Sequence, residues 1–307
     1  MRNLIILLAV ATVCASCYED HSDLIPDPEV LPGAMNLLAS DDKALTIDLT
    51  WDEVPGADSY KVFRRDYFAV EDSMLEVGES DVTFYTNLDV ESSTSYEYYV
   101  AAFNGVLGIP SDTVVGSTRR ITTEETFDVL AEFTDGESYE SSGAYQLGEV
   151  ILTVIGEQAQ ASADLVFLID NTGSMSDDIY YIQVNLNAII DALPTGVRVG
   201  VAEYGDNNVD PTNWYESTPL TSDLASIKDY INAIQVSSGG DTPESVYDGL
   251  YRTIDEMNWS SSVKKMIIVI GDAPPLEGFY SNYTLKEVVE KANEVDIVAN
   301  LYPILVY

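Results

Sequence analysis

Cysteine and histidine are nearly missing from this chain, and each shortage excludes a class of site. The only two cysteines, Cys14 and Cys17, lie at the end of an apolar run near the amino terminus, so no disulfide can cross-link the rest of the chain. The single histidine, His21, follows shortly after them. The chain beyond residue 32 therefore offers neither a Ser–His–Asp triad nor a histidine zinc site.

Basic residues are also scarce. Lysine and arginine together number 14 against 52 Asp and Glu, which gives a formal net charge of -38. Such a surface repels nucleic-acid phosphates and anionic membranes, and it favours cations and basic partners. An acidic surface that simply keeps a secreted protein soluble is the simpler explanation of the same numbers.

The first residues have the layout of a secretory signal. Arg2 precedes the apolar run Leu4–Val13, which is shorter than the roughly 20 residues that span a bilayer. The sequence Cys14-Ala15-Ser16-Cys17 resembles a bacterial lipobox, and this resemblance implies cleavage that leaves a diacylated Cys17. We therefore expect a lipoprotein signal peptide at residues 1–17 and a lipid-anchored protein at the bacterial outer membrane or cell surface.

Two segments with different patterns follow the signal. Residues 18–32 are polar, acidic and proline-containing, which predicts an extended tether. In residues 33–120, Ile47, Leu49 and Trp51 alternate with polar residues. Short strands separated by turns predict an all-β sandwich.

The segments Leu49–Val62 and Thr94–Ala102 resemble a fibronectin type III domain. This resemblance implies that Trp51, Tyr60 and Tyr96 are core aromatics, with the Tyr96 hydroxyl tying a sheet corner to nearby backbone. Arg-Gly-Asp does not occur. We therefore expect this domain to act as a spacer.

Residues 121–160 are harder to interpret. Phe127, Val129, Ala131 and Phe133 alternate with polar residues, as do parts of Val150–Ile155. This pattern predicts a β-rich connector. It leaves open whether the connector extends a neighbouring domain or forms a module of its own.

From residue 161 to 307 the pattern changes to alternating strands and helices. The apolar run Leu165–Ile169 predicts a strand buried on both faces, and Ile179, Ile182 and Leu186 recur at helical spacing behind it. Repeated alternation of this kind predicts an α/β domain with a parallel sheet. In such a sheet, the polar loops after the strands meet at one edge.

Between that first strand and helix lies Asp170-Asn171-Thr172-Gly173-Ser174. One carboxylate and two hydroxyls at alternate positions of a tight loop can direct their oxygens to one point, which suits a hard cation. Side chains of these types also cap helices without binding any ion.

The same loop resembles the Asp-x-Ser/Thr-x-Ser signature of von Willebrand factor type A domains. In that family this signature is part of the metal-ion-dependent adhesion site. Arg198–Asp206 and Val269–Ala273 resemble two further strands of that Rossmann-like α/β family. The resemblance implies that Asp170, Thr172 and Ser174 are metal ligands in the first loop and that Asp272 is a remote carboxylate ligand.

In the middle loop, Gly239-Gly240 is followed by Asp241, Thr242, Pro243 and Glu244. The family resemblance implies a ligand from either Thr242 or Glu244, but not from both. In the integrin β-subunit variant of this family, which the loop also resembles, Asp241 would help to hold a second cation. Magnesium is the expected ion because it takes six oxygen ligands and retains waters. Manganese or calcium would also suit such a site.

Three classes of function follow from these residues. The first is a protein that is not an enzyme and binds an acidic side chain of a protein partner through the metal ion. The second is a surface spacer whose adhesion domain does not bind, because Val295–Val306 resembles the family's fifth strand and the usual later elements do not follow. That incomplete end predicts an uncovered sheet edge. The third is metal-assisted hydrolysis.

Overall fold

The computed structural model describes residues 29–69, 73–159, 162–237 and 242–307. The predicted signal peptide with Cys17, the tether up to residue 28 and the predicted ligand Asp241 lie outside the described residues. Across the described ranges, no helix is both long and apolar enough to cross a membrane.

Residues 31–69 and 73–118 fold into two facing antiparallel sheets. Their strands within the described residues are β1 (Leu38–Ala39), β2 (Ile47–Thr50), β3 (Ser59–Asp66), β4 (Leu75–Ser80), β5 (Phe84–Asn87), β6 (Ser95–Phe103) and β7 (Val114–Ser117). One sheet has the order β1-β2-β5 and the other β4-β3-β6-β7. This is the sandwich that the alternating pattern predicts.

Aromatic side chains fill the core between these sheets. Trp51 packs edge-on against Tyr60, with ring centroids 5.3 Å apart. The Tyr96 hydroxyl accepts a hydrogen bond of 2.9 Å from the backbone N–H of Glu91. All three aromatics are buried, so their contacts are structural, as the sequence predicts.

The prediction of a β-rich connector at 121–160 is wrong. The segment forms helix α1 (Thr123–Glu132), a short strand β8 (Tyr139–Ser141) and helix α2 (Ala144–Gln158). Thr122 and Glu125 form a capping box that starts α1. Its buried apolar residues are Phe127, Leu130 and Ala131, a helical spacing that the coincidental alternation of Phe127, Val129 and Ala131 concealed.

The rest of the chain adds five strands to β8 in one six-stranded sheet. They are β9 (Ala163–Asp170), β10 (Arg198–Tyr204), β11 (Tyr215–Thr221), β12 (Lys264–Gly271) and β13 (Ala299–Val306). The order is β11-β10-β9-β12-β13-β8. All neighbours are parallel except β11, which pairs antiparallel with β10.

The sheet is therefore mixed, and the prediction of a parallel sheet is wrong at β11. The chain returns from β10 to β11 through the short loop 205–214 without a helix. A connection without a crossover leads to an antiparallel neighbour.

Four further helices complete this α/β unit. They are α3 (Ile179–Ala192), α4 (Leu224–Ala233), α5 (Val246–Glu256) and α6 (Leu285–Ala292). Helices α2, α3 and α4 share a buried cluster with Leu165, Phe167 and Ile169 of β9. Helices α1, α5 and α6 share a second cluster with Val166 and Leu168. Strand β9 is buried along its whole length because it separates these two cores.

The sheet edge expected to be uncovered is covered. Strand β8 pairs parallel with β13, with Tyr139 opposite Ile304 and Ser141 opposite Val306. The covering strand comes from chain that precedes the α/β pattern, so the order of elements along the sequence did not reveal it. Residues 121–160 are thus part of the α/β unit.

A short junction connects the sandwich to this unit. The Arg119 guanidinium binds both carboxylate oxygens of Glu125, at 2.9 and 2.6 Å. Lys286 of α6 also reaches Asp89 of the sandwich, with Nζ 3.4 Å from Oδ1. The junction and this exposed ion pair are two connections between the units.

Candidate metal centre

The predicted ligands lie at the carboxyl edge of the central strands. Asp170 is the last residue of β9 and lies opposite Tyr204, the last residue of β10. Asp272 follows the last residue of β12, the other neighbour of β9. Parallel pairing of three strands thus brings residues that are remote in sequence to one edge.

Hydrogen bonds connect Thr172 to Asp170 in the first loop, and Ser174 to the remote Asp272. The backbone N–H and the hydroxyl of Thr172 donate to Asp170 Oδ1, at 2.9 and 2.7 Å. The Ser174 hydroxyl donates to Asp272 Oδ1 at 2.9 Å. Both hydroxyl protons point at carboxylates, so the oxygen lone pairs of Thr172 and Ser174, 3.2 Å apart, are available to a cation.

The middle loop brings Glu244 into the same region. Its backbone N–H donates to the carbonyl of Pro274 at 2.9 Å, and its carbonyl accepts from Leu276 N–H at 2.7 Å. Its side chain is buried, whereas Thr242 is exposed. Between the two alternatives that the sequence left open, this arrangement favours Glu244.

Three carboxyl groups share this edge, and burial raises the pKa of each of them. Burial raises the pKa of Asp170 to about 7, with a smaller contribution from the charge of Asp272. It raises the pKa of Glu244 to about 8, and Asp170, Asp206 and Asp272 add repulsion. Burial also raises the pKa of Asp272. The protein alone therefore stabilises these carboxylates poorly.

Two buried carboxylate oxygens lack any hydrogen-bond donor from the described residues. They are Asp170 Oδ2 and Glu244 Oε2. A buried acceptor without a donor is costly, and a cation is one way to satisfy it. In the part of the chain that the structure describes, no three Asp, Glu, His or Cys side chains lie close enough to hold a metal ion by themselves, so an ion at this edge would also require hydroxyl oxygens such as those of Thr172 and Ser174. Oxygens of this kind suit a hard divalent cation.

Sequence reasoning missed two residues that support the site. Tyr204 is fully buried, and its hydroxyl also lacks a partner among the described residues. A Cβ built on Gly271 would lie 2.8 Å from that hydroxyl and 3.3 Å from Asp170 Oδ2, so only glycine leaves room for both. Burial and the nearby carboxylates raise the pKa of Tyr204, which keeps its hydroxyl a proton donor.

Asn171 is the second missed residue. Its amide donates to Glu203 Oε2 at 2.7 Å, and its side-chain oxygen accepts from the Ser237 hydroxyl at 2.9 Å. These bonds fix the loop between Asp170 and Thr172. The only signal in the sequence is that polar Glu203 follows the apolar residues of β10, which is weak.

Comparison with known proteins identifies a family for the α/β unit. The von Willebrand factor A domain family matches residues 164–300. Residues 164–300 form a von Willebrand factor A domain. The described structure adds α1, β8 and α2, which precede that range, to the same sheet and cores.

Alpha-protein kinase vwkA of Dictyostelium discoideum is 27% identical over 166 residues, which are 52% of this chain and 26% of that protein. The chain thus spans about a quarter of the length of this relative.

Fibronectin type III-like domains are among the solved structures to which the chain is similar. A Fn3-like protein from Clostridium thermocellum is 28% identical, covers 30% of this chain and 98% of its own, and gives a TM-score of 0.27. Domains A168–A170 of titin are 27% identical, with 30% and 33% coverage and a TM-score of 0.28.

Proposed function

We propose that the von Willebrand factor A domain binds a divalent cation and, through it, an acidic side chain of a protein partner. The observation that carries this proposal is the pair of buried carboxylate oxygens without donors, Asp170 Oδ2 and Glu244 Oε2. Von Willebrand factor A domains generally mediate protein–protein interactions, and the family match is to such a domain.

Each ligand contributes differently to this site. Asp170 and Glu244 supply negative charge from the buried side. Thr172 and Ser174 supply neutral oxygens, and Asp272 orients Ser174 through its hydrogen bond. Neutral hydroxyls limit the total negative charge, so a bound magnesium ion would keep enough positive charge to accept a carboxylate from outside. Manganese or calcium would occupy the same set of oxygens.

The cation also explains how a very acidic protein could recognise an acidic group. The chain carries a formal net charge of -38, which would otherwise repel a carboxylate. Local positive charge at the sheet edge reverses this repulsion over a few ångströms, while the rest of the surface still repels acidic molecules. The partner must therefore present its carboxylate at a protruding position.

Magnesium should stabilise the folded protein, because ligands that bind only the folded state raise its melting temperature. We expect a higher melting temperature in millimolar magnesium than in chelator, and we expect Asp170→Ala to remove the difference. Differential scanning fluorimetry measures it. Asp229→Ala removes an exposed carboxylate from α4 and should keep the full magnesium response. Equal melting curves of wild type with magnesium and with chelator would contradict the metal site.

Partner binding has a separate test. Immobilised wild-type protein, incubated with cell-envelope extract, should retain a protein in magnesium and release it in chelator. Asp170→Ala should not retain it. A partner that stays bound in chelator would contradict recognition through the ion even if magnesium stabilises the fold. A folded protein that binds magnesium but retains nothing would favour the alternative, in which the chain is a surface spacer.

The location of the protein is also a proposal. We propose a bacterial lipoprotein whose diacylated Cys17 attaches it to the outer membrane or cell surface. The order of the segments along the chain supports this proposal: the signal comes first, then the tether, the sandwich and the von Willebrand factor A domain. The proposed metal centre then lies in a unit that the tether and the sandwich separate from the anchor. The sandwich is proposed to act as the spacer between them.

A further inference from the structure

A cleft lies between the sandwich and the von Willebrand factor A domain. Its volume is about 760 Å³, within the range of roughly 300–1,000 Å³ that is typical of small-molecule sites. Leu88 and Tyr96 line it from the sandwich, and Phe133, Tyr247 and Glu277 from the other unit. None of the proposed metal ligands lines it, so this inference does not rest on the proposed metal site.

Glu277 stands out in the wall of this cleft. Both of its carboxylate oxygens are buried, and neither has a hydrogen-bond partner among the described residues. Burial raises the pKa of Glu277 to about 7, although the charge of Arg120 opposes the shift. Glu277 lines the cleft while its carboxylate oxygens are turned away from solvent, and a buried carboxylate without a donor is costly.

The other charges of the cleft do not supply that donor. Besides Glu277, the carboxylates that line it are Asp66, Asp89, Glu91 and Glu290, against the two cations Arg64 and Lys286. Both cations contact Asp89: Arg64 at 3.5 Å and Lys286 at 3.4 Å. The cleft therefore has more negative than positive charge, and both lining cations are paired. Arg120, which is not among the lining residues, acts on Glu277 through its charge.

We infer that this cleft binds a small organic cation, an amine with an apolar body. Its ammonium group would donate to Glu277 once that side chain turns an oxygen into the cleft, and such a charge-assisted bond is stronger than a neutral one. Its apolar body would pack on the exposed side chains of Phe133 and Leu88, which line the cleft. An anionic ligand of the same shape would leave Glu277 without a donor, and a neutral alcohol would supply a hydroxyl without the charge.

The experiment uses the full chain and three probes with a common phenyl body. They are 2-phenylethylamine, 2-phenylethanol and 3-phenylpropionate, and isothermal titration calorimetry measures their binding. We expect saturable binding of the amine at least tenfold tighter than that of either other probe. Equal affinities of the three probes would overturn the inference. So would the absence of amine binding at concentrations up to about 10 mM, a dissociation constant that corresponds to very weak binding.

Two variants locate the binding. Glu277→Gln should weaken amine binding at least tenfold, whereas Glu290→Gln, which removes an exposed carboxylate from the same cleft, should change it less than about threefold. Thr46→Trp, on the opposite wall of the cleft, should abolish binding by filling the space while Glu277 stays intact. Unchanged affinity in Glu277→Gln, or in a folded Thr46→Trp, would overturn the assignment to this cleft.

Discussion

At the scale of single residues, three buried carboxyl groups in the described part of the chain lack some of the hydrogen-bond donors that would stabilise their charged forms. Asp170, Glu244 and Glu277 each carry buried carboxylate oxygens without donors from the described residues. Two of these residues belong to the proposed metal centre and one to the cleft. Native proteins pair nearly all buried polar atoms, so such residues indicate where a ligand completes the structure.

Glu277 predicts a specific pH dependence of stability. Its pKa in the folded protein is raised from 4.5 to about 7, so between these values the folded state keeps a proton that the unfolded chain loses. The protonated Glu277 therefore makes its full contribution to the free energy of unfolding below pH 4.5. This contribution is lost as the pH rises through 7. Glu277→Gln should match the wild-type melting temperature near pH 4.5 and exceed it by a few degrees at pH 8.

Thermal melts of both proteins from pH 4.5 to 8.5 measure this difference. Glu290→Gln is the matched control for the loss of one charge. A difference between Glu277→Gln and wild type that stays constant across the pH range would show that Glu277 is not desolvated in the folded protein.

Part of the candidate site could be predicted from the sequence. Asp170, Thr172 and Ser174 follow an apolar run directly, so their place at a strand end is visible in the order of residues. Tyr204 could not be found in this way, because its role depends on the space that Gly271 leaves beside it. The choice between Thr242 and Glu244 depends on which side chain the loop turns inward, and that is set by its hydrogen bonds to Pro274 and Leu276.

Among the elements, α1, β8 and α2 extend the α/β unit beyond the residues that the family match covers. Helix α2 packs on α3, and strand β8 closes the edge beside β13. Alternation of apolar residues at 127, 129, 131 and 133 favoured strands, but one of these residues, Phe133, is exposed beyond the end of α1. Periodicity over so few residues does not separate helix from strand.

Helix α2 yields a prediction about stability. Leu147 is fully buried in the cluster that contains Ile182 and Phe167, so Leu147→Ala should lower the free energy of unfolding by about 2–5 kcal/mol. Leu152→Ala, on the exposed face of the same helix, should change it by less than about 1 kcal/mol. Urea unfolding followed by circular dichroism measures both. Similar, small effects of the two variants would mean that α2 is not part of the core.

The long elements were predictable, and the mixed sheet was not. The buried positions of α3 include Ile179, Ile182 and Leu186, as the helical spacing predicts, and the helix ends before Pro194. Strand β11 escaped prediction because its sequence Tyr215–Thr221 is mostly polar and contains Pro219. Both features are tolerated there because β11 is an edge strand.

For the whole molecule, the proposed anchor gives a prediction that does not depend on the folded units. Cys17→Ser removes the thiol that would carry the lipid, so the protein should move from the membrane fraction to the soluble fraction when it is expressed in a bacterium with lipoprotein processing. Immunoblots of the two fractions measure this. Cys14→Ser should stay in the membrane fraction, and an unchanged distribution of Cys17→Ser would contradict the anchor.

The junction between the two units has a mechanical consequence. Only residues 118–122 separate β7 from α1, and Arg119 among the residues after β7 binds Glu125 of the α1 capping box. The apolar face of α1 is part of the core on one side of the central sheet. We therefore expect the sandwich and the sheet to rotate together, so that a rotation of the sandwich also reorients the loop edge with Asp170.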